Sequence, residues 1–508
     1  MRVYGTVLRF TLEHRLALAL FTVVLIGASY VCYSRLGSDL LPEMDEGGFV
    51  LDYIMPAGSS LEATNRVITQ VEQLLRTTPE VESTSRRTGL QLGLAAVTEA
   101  NYGDILVKLK RQRDRGVEEV IADVRARVRQ AEPVLDIEFT QVLQDMIGDL
   151  TSAPEPCIIK LFSNDPDALR RWAPETAKAI GKIHGVVDVL DGIENTISGP
   201  ATVFNVDPVV AARAGFSPQE VEVDASAILQ GEAAATPVVV NDRAYTIRVR
   251  FPERTRATLD AIRDTVLVSG TGKTASIGSL AGMVQIPGQT EIRRENLQRD
   301  VQVTARFEGL NLGEGMDQVQ QAVRDLHIPS NIRVAYGGQY EEQQKSFREL
   351  VVVLLLAILL VFLVLLFEFG SFAAPAAVLA SAILSTSGVF LALLVTGTTF
   401  NLSSFMGLIM VIGIVAKNGI LLLDADQKFR AAGVPAEESM LRAGERRLRP
   451  ILMTALATVA GMVPLALAWG AGSQMLQPLA IAVIGGILAS MVLSLVVTPA
   501  VRYYLEAK

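Results

Sequence analysis

The chain is poor in the residues that build metal and redox centres: its 508 residues include 2 cysteines and 3 histidines. Cys32 lies inside an apolar run and Cys157 opens a strand-like segment. Such a pair supports neither a disulfide framework nor a cysteine metal site. The histidines never cluster, which leaves little for an imidazole site holding zinc or copper. A basic excess is also missing. With 46 Lys and Arg against 54 Asp and Glu the formal net charge is -8, whereas nucleic-acid binding needs a basic face. No nucleophile elbow, phosphate loop or metal-ligand cluster occurs, so nothing points to an enzyme or a bound cofactor. Charge is sparse outside Asp39–Arg348. Apolar sequence is abundant, with 50% hydrophobic residues and a mean hydropathy of +0.35. A single soluble domain of this length would be unusual, so two or more structural units are expected.

Leu350–Phe367 (LVVVLLLAILLVFLVLLF) is unbroken apolar sequence, long enough to cross the hydrocarbon core as a helix. Leu16–Ser34, Ala373–Val395, Leu402–Leu423, Ile451–Ala468 and Leu479–Val501 qualify with less purity. Arg9, His14 and Arg15 before the first span imitate a signal peptide, but its length and lack of a small-residue cleavage pattern favour a retained helix. Gln427–Arg449 carries Lys428, Arg430, Arg442, Arg446, Arg447 and Arg449, whereas the turns Thr396–Asn401 and Trp469–Gln474 carry no charge. The positive-inside rule therefore places Gln427–Arg449 and both termini in the cytoplasm, and Gly37–Lys345 outside. Glycines 407, 413 and 419, with Ser381, Ser385, Ser387 and Gly388, predict close helix packing.

The outer region alternates strand and helix patterns. Phe49–Met55, Leu61–Arg76 and Val81–Arg87 read as strand, helix and strand, and Ile105–Leu109, Val117–Val128 and Leu135–Gln141 repeat the order. A further round runs through Cys157–Phe162, Pro166–Ile183 and Val186–Leu190, with Val301–Phe307, Met316–Leu326 and Ile332–Tyr336 as its partner. Such units suggest split βαβ, ferredoxin-like subdomains. Pro237–Val240 and Tyr245–Phe251 read as a hairpin across Asn241-Asp242-Arg243, within a module inserted in the second pair.

One span carries a charge. Gly413-Ile-Val-Ala-Lys417-Asn418-Gly419 puts a lysine inside the fourth span, where a charge is costly unless paired and function is the default reading. The bland alternative is a lysine that snorkels to an interface. Gly444-Glu-Arg-Arg447-Leu-Arg-Pro450-Ile-Leu-Met-Thr454 opens the fifth span, and Gly470-Ala-Gly-Ser-Gln and Gly485-Gly486 follow. Ala-Lys-Asn at 416–418 followed by Leu-Arg-Pro-Ile-Leu-Met-Thr at 448–454 resembles the C-terminal half of resistance–nodulation–cell division (RND) transporters. The resemblance covers essentially the whole chain. Leu41-Pro-Glu-Met-Asp-Glu-Gly47 also resembles the start of the porter region in the heavy-metal and related branches.

The resemblance implies an α+β membrane protein, with a six-helix transmembrane bundle, ferredoxin-like porter subdomains and an inserted docking module outside. Residues 1–36 would be the cytoplasmic start and first span, and 37–153 the first porter subdomain. Residues 154–199 and 288–345 would be the two parts of the second, with docking at 200–287 and five helices in 346–508. It further implies a trimer in the cell inner membrane, working with a periplasmic adaptor and an outer-membrane channel. Proton antiport would supply the energy for exporting a small-molecule or cation substrate, with no cofactor. In the family, the lysine matching Lys417 pairs with two aspartates of the N-terminal half. Arg447, Thr454 and the adjacent Asn418 would join the proton-relay region. Arg447 is better explained by a cytoplasmic basic cluster, which needs only the orientation rule, and Thr454 equally by a bond within its own helix. This chain has no intramembrane Asp-Asp pair. Asp424 follows Lys417 by two turns, about 10.5 Å along the axis, too far for an ion pair. The chain is therefore expected to need an Asp-bearing N-terminal half, fused or separate, and to move no protons alone.

Thr88–Asn101, with Leu90, Leu92, Leu94 and Val97, resembles the switch loop of RND drug pockets; an ordinary hairpin connection explains it equally well. Met146 matches one methionine of the copper and silver exporters' thioether triad, but the other two positions read Ala234 and Glu291. No metal site is therefore assigned, and an organic substrate is preferred to a metal. Two other classes compete: a protein-export component of the SecD/SecF type, and a sensory or structural membrane protein, which would not need Lys417.

Overall fold

A computed structural model of the chain describes residues 2–89, 91–92, 97–151, 155–193, 201–286, 292–470 and 472–506. The chain forms two compact units, one of residues 1–56, 60–195 and 293–508, the other of 57–59 and 196–292.

The first unit opens with helix α1 (Arg2–Glu13), followed by α2 (Arg15–Ser34). Sequence reading treated the segment before Leu16 only as a basic flank. Leu8 and Leu12, four residues apart on one helical face, are buried, and the Tyr504 hydroxyl donates to the Thr11 and Leu12 carbonyls at 2.8 and 2.7 Å.

Strand β1 (Gly48–Ile54), α3 (Leu61–Arg76), β2 (Val81–Thr88), β3 (Tyr102–Leu109), α4 (Val117–Ala131) and β4 (Asp136–Gln141) build the first sheet, and α5 (Val142–Thr151) follows. The strand order is β2-β3-β1-β4, all neighbours antiparallel. Ser60 starts α3, accepting from the Ala63 N–H at 3.2 Å, as an N-cap hydroxyl does. Alternation sorts the strand faces: Phe49, Leu51 and Tyr53 of β1 pack with Ile68, Val71 and Leu75 of α3, leaving Asp52 on the other face.

The second sheet repeats the plan. It comprises β5 (Cys157–Phe162), α6 (Pro166–Ile180), β6 (Val186–Leu190), β7 (Gln298–Phe307), α7 (Leu312–Asp325) and β8 (Arg333–Gly337), in the order β6-β7-β5-β8, and a fifth short strand, Arg294–Glu295, pairs with the start of β7. The second unit enters the chain between β6 and β7. In it Ala201–Val206 pairs with Ala281–Ile286, and Phe216, Val221, Ile228, Ile277 and Leu280 form a core. Its hairpin is tighter than predicted. Val238–Val240 pairs with Arg243–Tyr245, because Asn241 and Asp242 both take positive φ, +50° and +59°, the geometry of a two-residue turn.

Helices α8 (Gln339–Phe369), α9 (Ala373–Thr396), α10 (Leu402–Ala431), α11 (Ala436–Ala466) and α12 (Gln477–Glu506) complete the chain. With α2 they make, among the described residues, 6 helices long and apolar enough to cross a membrane. The most apolar windows are 67% buried in α12, 56% in α10 and 50% in α9, but only 11% in α11 and 6% in α2 and α8. So α9, α10 and α12 are the protein-packed centre. A Cβ on Gly388 would lie 2.4 Å from the Gly485 carbonyl oxygen, which is why α9 and α12 cross through small residues. Gly407 and Gly419 also meet close neighbours, whereas Gly413, expected to pack, has nothing within 4 Å. The basic stretch 427–449 is not a loop. α10 continues to Ala431 and α11 starts at Ala436, because charged residues extend an amphipathic helix beyond the apolar span until Gly433, at φ +84°, and Pro435 break it.

Candidate functional site

Lys417 sits midway along α10, on the face that the rest of the chain leaves uncovered. Met406, Met410 and Gly413 share this stripe, at helical spacing, and Met406 and Met410 are 42% and 43% exposed. Phe405, Leu408, Val411, Ile412 and Val415 occupy the opposite, buried face. Among the described residues no carboxylate pairs with Lys417; its neighbour Asn418 is buried.

Further along α10 the charges are satisfied. Asp424 accepts from Lys428 at 2.8 Å and lies 3.6 Å from Arg447. Asp426 is fully buried: Ser439 donates to it at 2.7 Å, with Arg430 at 2.9 Å and Arg502 at 3.6 Å. Thr454 is exposed on α11, its hydroxyl donating to the Ile451 carbonyl at 3.1 Å. Arg447 thus belongs to the Asp424 network. The burial of Asp426 depends on α11 and α12 folding against it, which no local pattern announces.

Of the substrate-path residues, Leu90, Leu94 and Glu291 fall outside the described residues. Leu92 and Val97 are partners in a two-residue ladder. Met146 lies on α5, 55% exposed, and Ala234 is in the second unit. Among the described residues no group of three or more His, Cys, Asp or Glu side chains is placed to hold a metal ion.

A polar row missed in the sequence crosses the first sheet. Asp52 of β1 stands opposite Asp104 of β3 and Glu138 of β4. Arg306 of β7 is buried and donates to Glu138 at 2.5 Å, joining the two sheets. Burial, then repulsion from Glu138, Asp145 and Asp104, pushes the Asp52 carboxyl up to about 8. Burial and Glu138 likewise push Glu155 up to about 7. Carboxylates in the middle of strands, in GFVLDYI and DIEFTQ, were the available signal; their alignment required the register. A second buried link runs from Arg125 of α4 to Asp188 of β6 at 3.0 Å.

The sequence profile of the AcrB/AcrD/AcrF family matches residues 1–506. The cobalt-zinc-cadmium resistance protein CzcA of Cupriavidus metallidurans is 28% identical over 511 residues, covering 98% of this chain and 48% of that protein. The multidrug resistance protein MdtC of Erwinia tasmaniensis is 26% identical over 512 residues, covering 99% of this chain and 48% of its own. A crystal structure of a heavy metal efflux pump superposes with a TM-score of 0.84 at 27% identity, covering 100% of this chain and 51% of that one. The chain thus spans about half the length of the curated relatives it matches. With a lysine-bearing span, two sheets of one plan and a profile match along its whole length, the chain belongs to the AcrB/AcrD/AcrF family of RND efflux transporters.

Proposed function

We propose that this chain is the C-terminal half of a proton-driven efflux transporter for a drug-like or cationic substrate. The observation that carries the reading is Lys417, a charge without an ion-pair partner among the described residues, on the uncovered stripe of a membrane span. Such a charge is tolerated when a partner compensates it, and a second half bearing paired transmembrane aspartates would cover the stripe and supply the carboxylates. Beside the lysine those carboxylates stay ionised; a proton arriving from outside neutralises them and releases Lys417. Asn418 neighbours the pair, while Arg447 and Thr454 would serve the cytoplasmic end of the relay.

In this reading both sheets are ferredoxin-like porter subdomains, the second unit is the docking module, and the sheets face the periplasm from the inner membrane. The pump is a trimer with an adaptor and an outer-membrane channel. Leu90, Leu92, Leu94, Val97 and Met146 would line the substrate path. A profile match over residues 1–506 speaks against a SecD/SecF-like export component.

Reconstituted alone in proteoliposomes, the chain should export neither zinc, cobalt and cadmium nor a cationic dye. Co-reconstitution with an Asp-Asp-bearing N-terminal half should give efflux driven by an imposed pH gradient. Efflux by the chain alone would contradict the proposal.

A further inference from the structure

The short segment Gly37–Leu40, between α2 and the first sheet, is bonded on both sides at once. On the membrane side it runs beside the turn from α9 to α10. The Phe400 N–H donates to the Gly37 carbonyl at 2.7 Å, Asp39 N–H to the Phe400 carbonyl at 3.2 Å, and Leu402 N–H to the Leu40 carbonyl at 3.3 Å. Phe400 is held by rings from four membrane helices: Tyr33 of α2 at 6.0 Å, Phe347 of α8 at 5.6 Å, Phe390 of α9 at 5.8 Å and Phe405 of α10 at 5.5 Å. Aromatic pairs at these separations each add ~0.5–1.5 kcal/mol beyond area burial. The Phe400 backbone therefore follows the bundle.

On the other side the same residues hold the first turn of α7. The Leu312 N–H donates to Asp39 Oδ1 at 2.7 Å, Gly313 N–H to the Ser38 carbonyl at 2.9 Å, and Ser38 N–H to Asn311 Oδ1 at 3.3 Å. Asp39 thus supplies an anion to a helix N-terminus, whose free N–H groups and dipole favour one. The approach is close: a Cβ on Gly37 would lie 2.6 Å from Asn311 Nδ2, and one on Gly313 2.3 Å from Ser38 Oγ, side-chain ends that would have to turn away. Leu40 and Leu402, the first residue of α10, both pack into the core of the second sheet.

We propose that Gly37–Leu40 is a latch that carries displacement of α10, the Lys417 helix, to α7 and the second sheet, with Asp39 as its positioning residue. The proposal rests on the transport reading above. α10 is one continuous helix from Leu402 to Ala431, so a shift at Lys417, about 22 Å from its start, reaches Leu402 undamped. The latch turns that shift into motion of α7 through one backbone bond, the Asn311 side-chain amide and one carboxylate.

The test uses the complete pump. Asp39→Ala removes the acceptor for the Leu312 N–H and should lower the maximal pH-driven efflux rate about tenfold, the worth of one charge-assisted hydrogen bond, at unchanged half-saturating substrate concentration. Asp39→Asn keeps Oδ1 and should retain most of the rate. Ser38→Cys with Gly313→Cys offers a covalent substitute, since a Cβ on Gly313 would lie 3.5 Å from Ser38 Cβ, within disulfide range. Oxidising this pair in the Asp39→Ala pump should restore efflux, and reducing it should abolish the rescue. A wild-type rate for Asp39→Ala, or a disulfide that stops an otherwise active pump, overturns the latch. Spin labels on Thr396 and Gln321 separate this from the transport reading. Their distance should stay fixed under an imposed pH gradient in the wild type and vary in Asp39→Ala. A distance that varies in the wild type sinks the latch whether or not the pump transports, whereas a fixed distance in a pump without efflux sinks only the transport reading.

Discussion

Two charges on α10 have opposite surroundings. Asp426 is fully buried among Ser439, Arg430 and Arg502, drawing α10, α11 and α12 together. Lys417, earlier on the same helix, has an open stripe and no partner among the described residues. Cost explains the contrast. Taking an ion out of water is repaid only by close opposite charges and hydrogen bonds, and Asp426 has them within its own chain. Lys417 has none among the described residues, and in the proposed transporter the other half supplies them. A satisfied charge marks structure; an unsatisfied charge in a membrane span marks the place where something else binds or moves.

The comparison is sharpened first at Lys417. In the complete pump Lys417→Ala should reduce pH-driven efflux by about two orders of magnitude, the scale of a lost buried ion pair, while immunoblots show normal insertion. Lys417→Arg should rescue poorly, because a planar fork differs from a compact ammonium. Asp426→Ala should do the reverse. It leaves Arg502 and Arg430 to Glu506 alone and strips the buried Ser439 hydroxyl of its carboxylate acceptor, and should cost ~1–3 kcal/mol of bundle stability. This is measurable as a lowered thermal midpoint in detergent, with efflux per folded molecule retained. Asp52 gives a comparable effect, in pH. Its carboxyl rises from 3.8 to about 8 in the folded chain, so the native state holds a proton that the unfolded chain releases. Stability must therefore fall as pH rises through that window. Asp52→Asn should flatten the dependence, by roughly 1–3 kcal/mol at the alkaline end, read from chemical denaturation at several pH values. The smallest effect belongs to Thr454, whose hydroxyl is already occupied by the Ile451 carbonyl. Thr454→Val should change stability by less than about 0.5 kcal/mol; a loss of efflux at unchanged stability supports its place in the relay, and an unchanged efflux removes it.

The spans and the strand–helix order were legible because both depend on local periodicity: a long apolar run for α8, alternation for β1, a capped amphipathic stretch for α3. What escaped was set by distant partners. α1 is too short to announce itself, and Leu8 and Leu12 acquire meaning only against α12. The extension of α10 to Ala431 was hidden because hydropathy marks the membrane boundary rather than the end of the helix. Gly413 looked like a packing glycine, yet lies on the Lys417 stripe. Asp52, Asp104 and Glu138 are unremarkable singly and form a row only once the register aligns them. Lys417 itself was conspicuous, since a charge in an apolar run needs no register to be noticed.

The claim that Lys417 compensates carboxylates from another half is tested most directly by titrating those carboxylates. In the complete pump, infrared spectroscopy resolves the carbonyl band of protonated transmembrane aspartates as a function of pH. With Lys417 in place the opposite charge should keep them ionised down to lower pH, and in Lys417→Ala the protonated band should persist to distinctly higher pH. Superimposable titrations of wild type and Lys417→Ala would contradict the account.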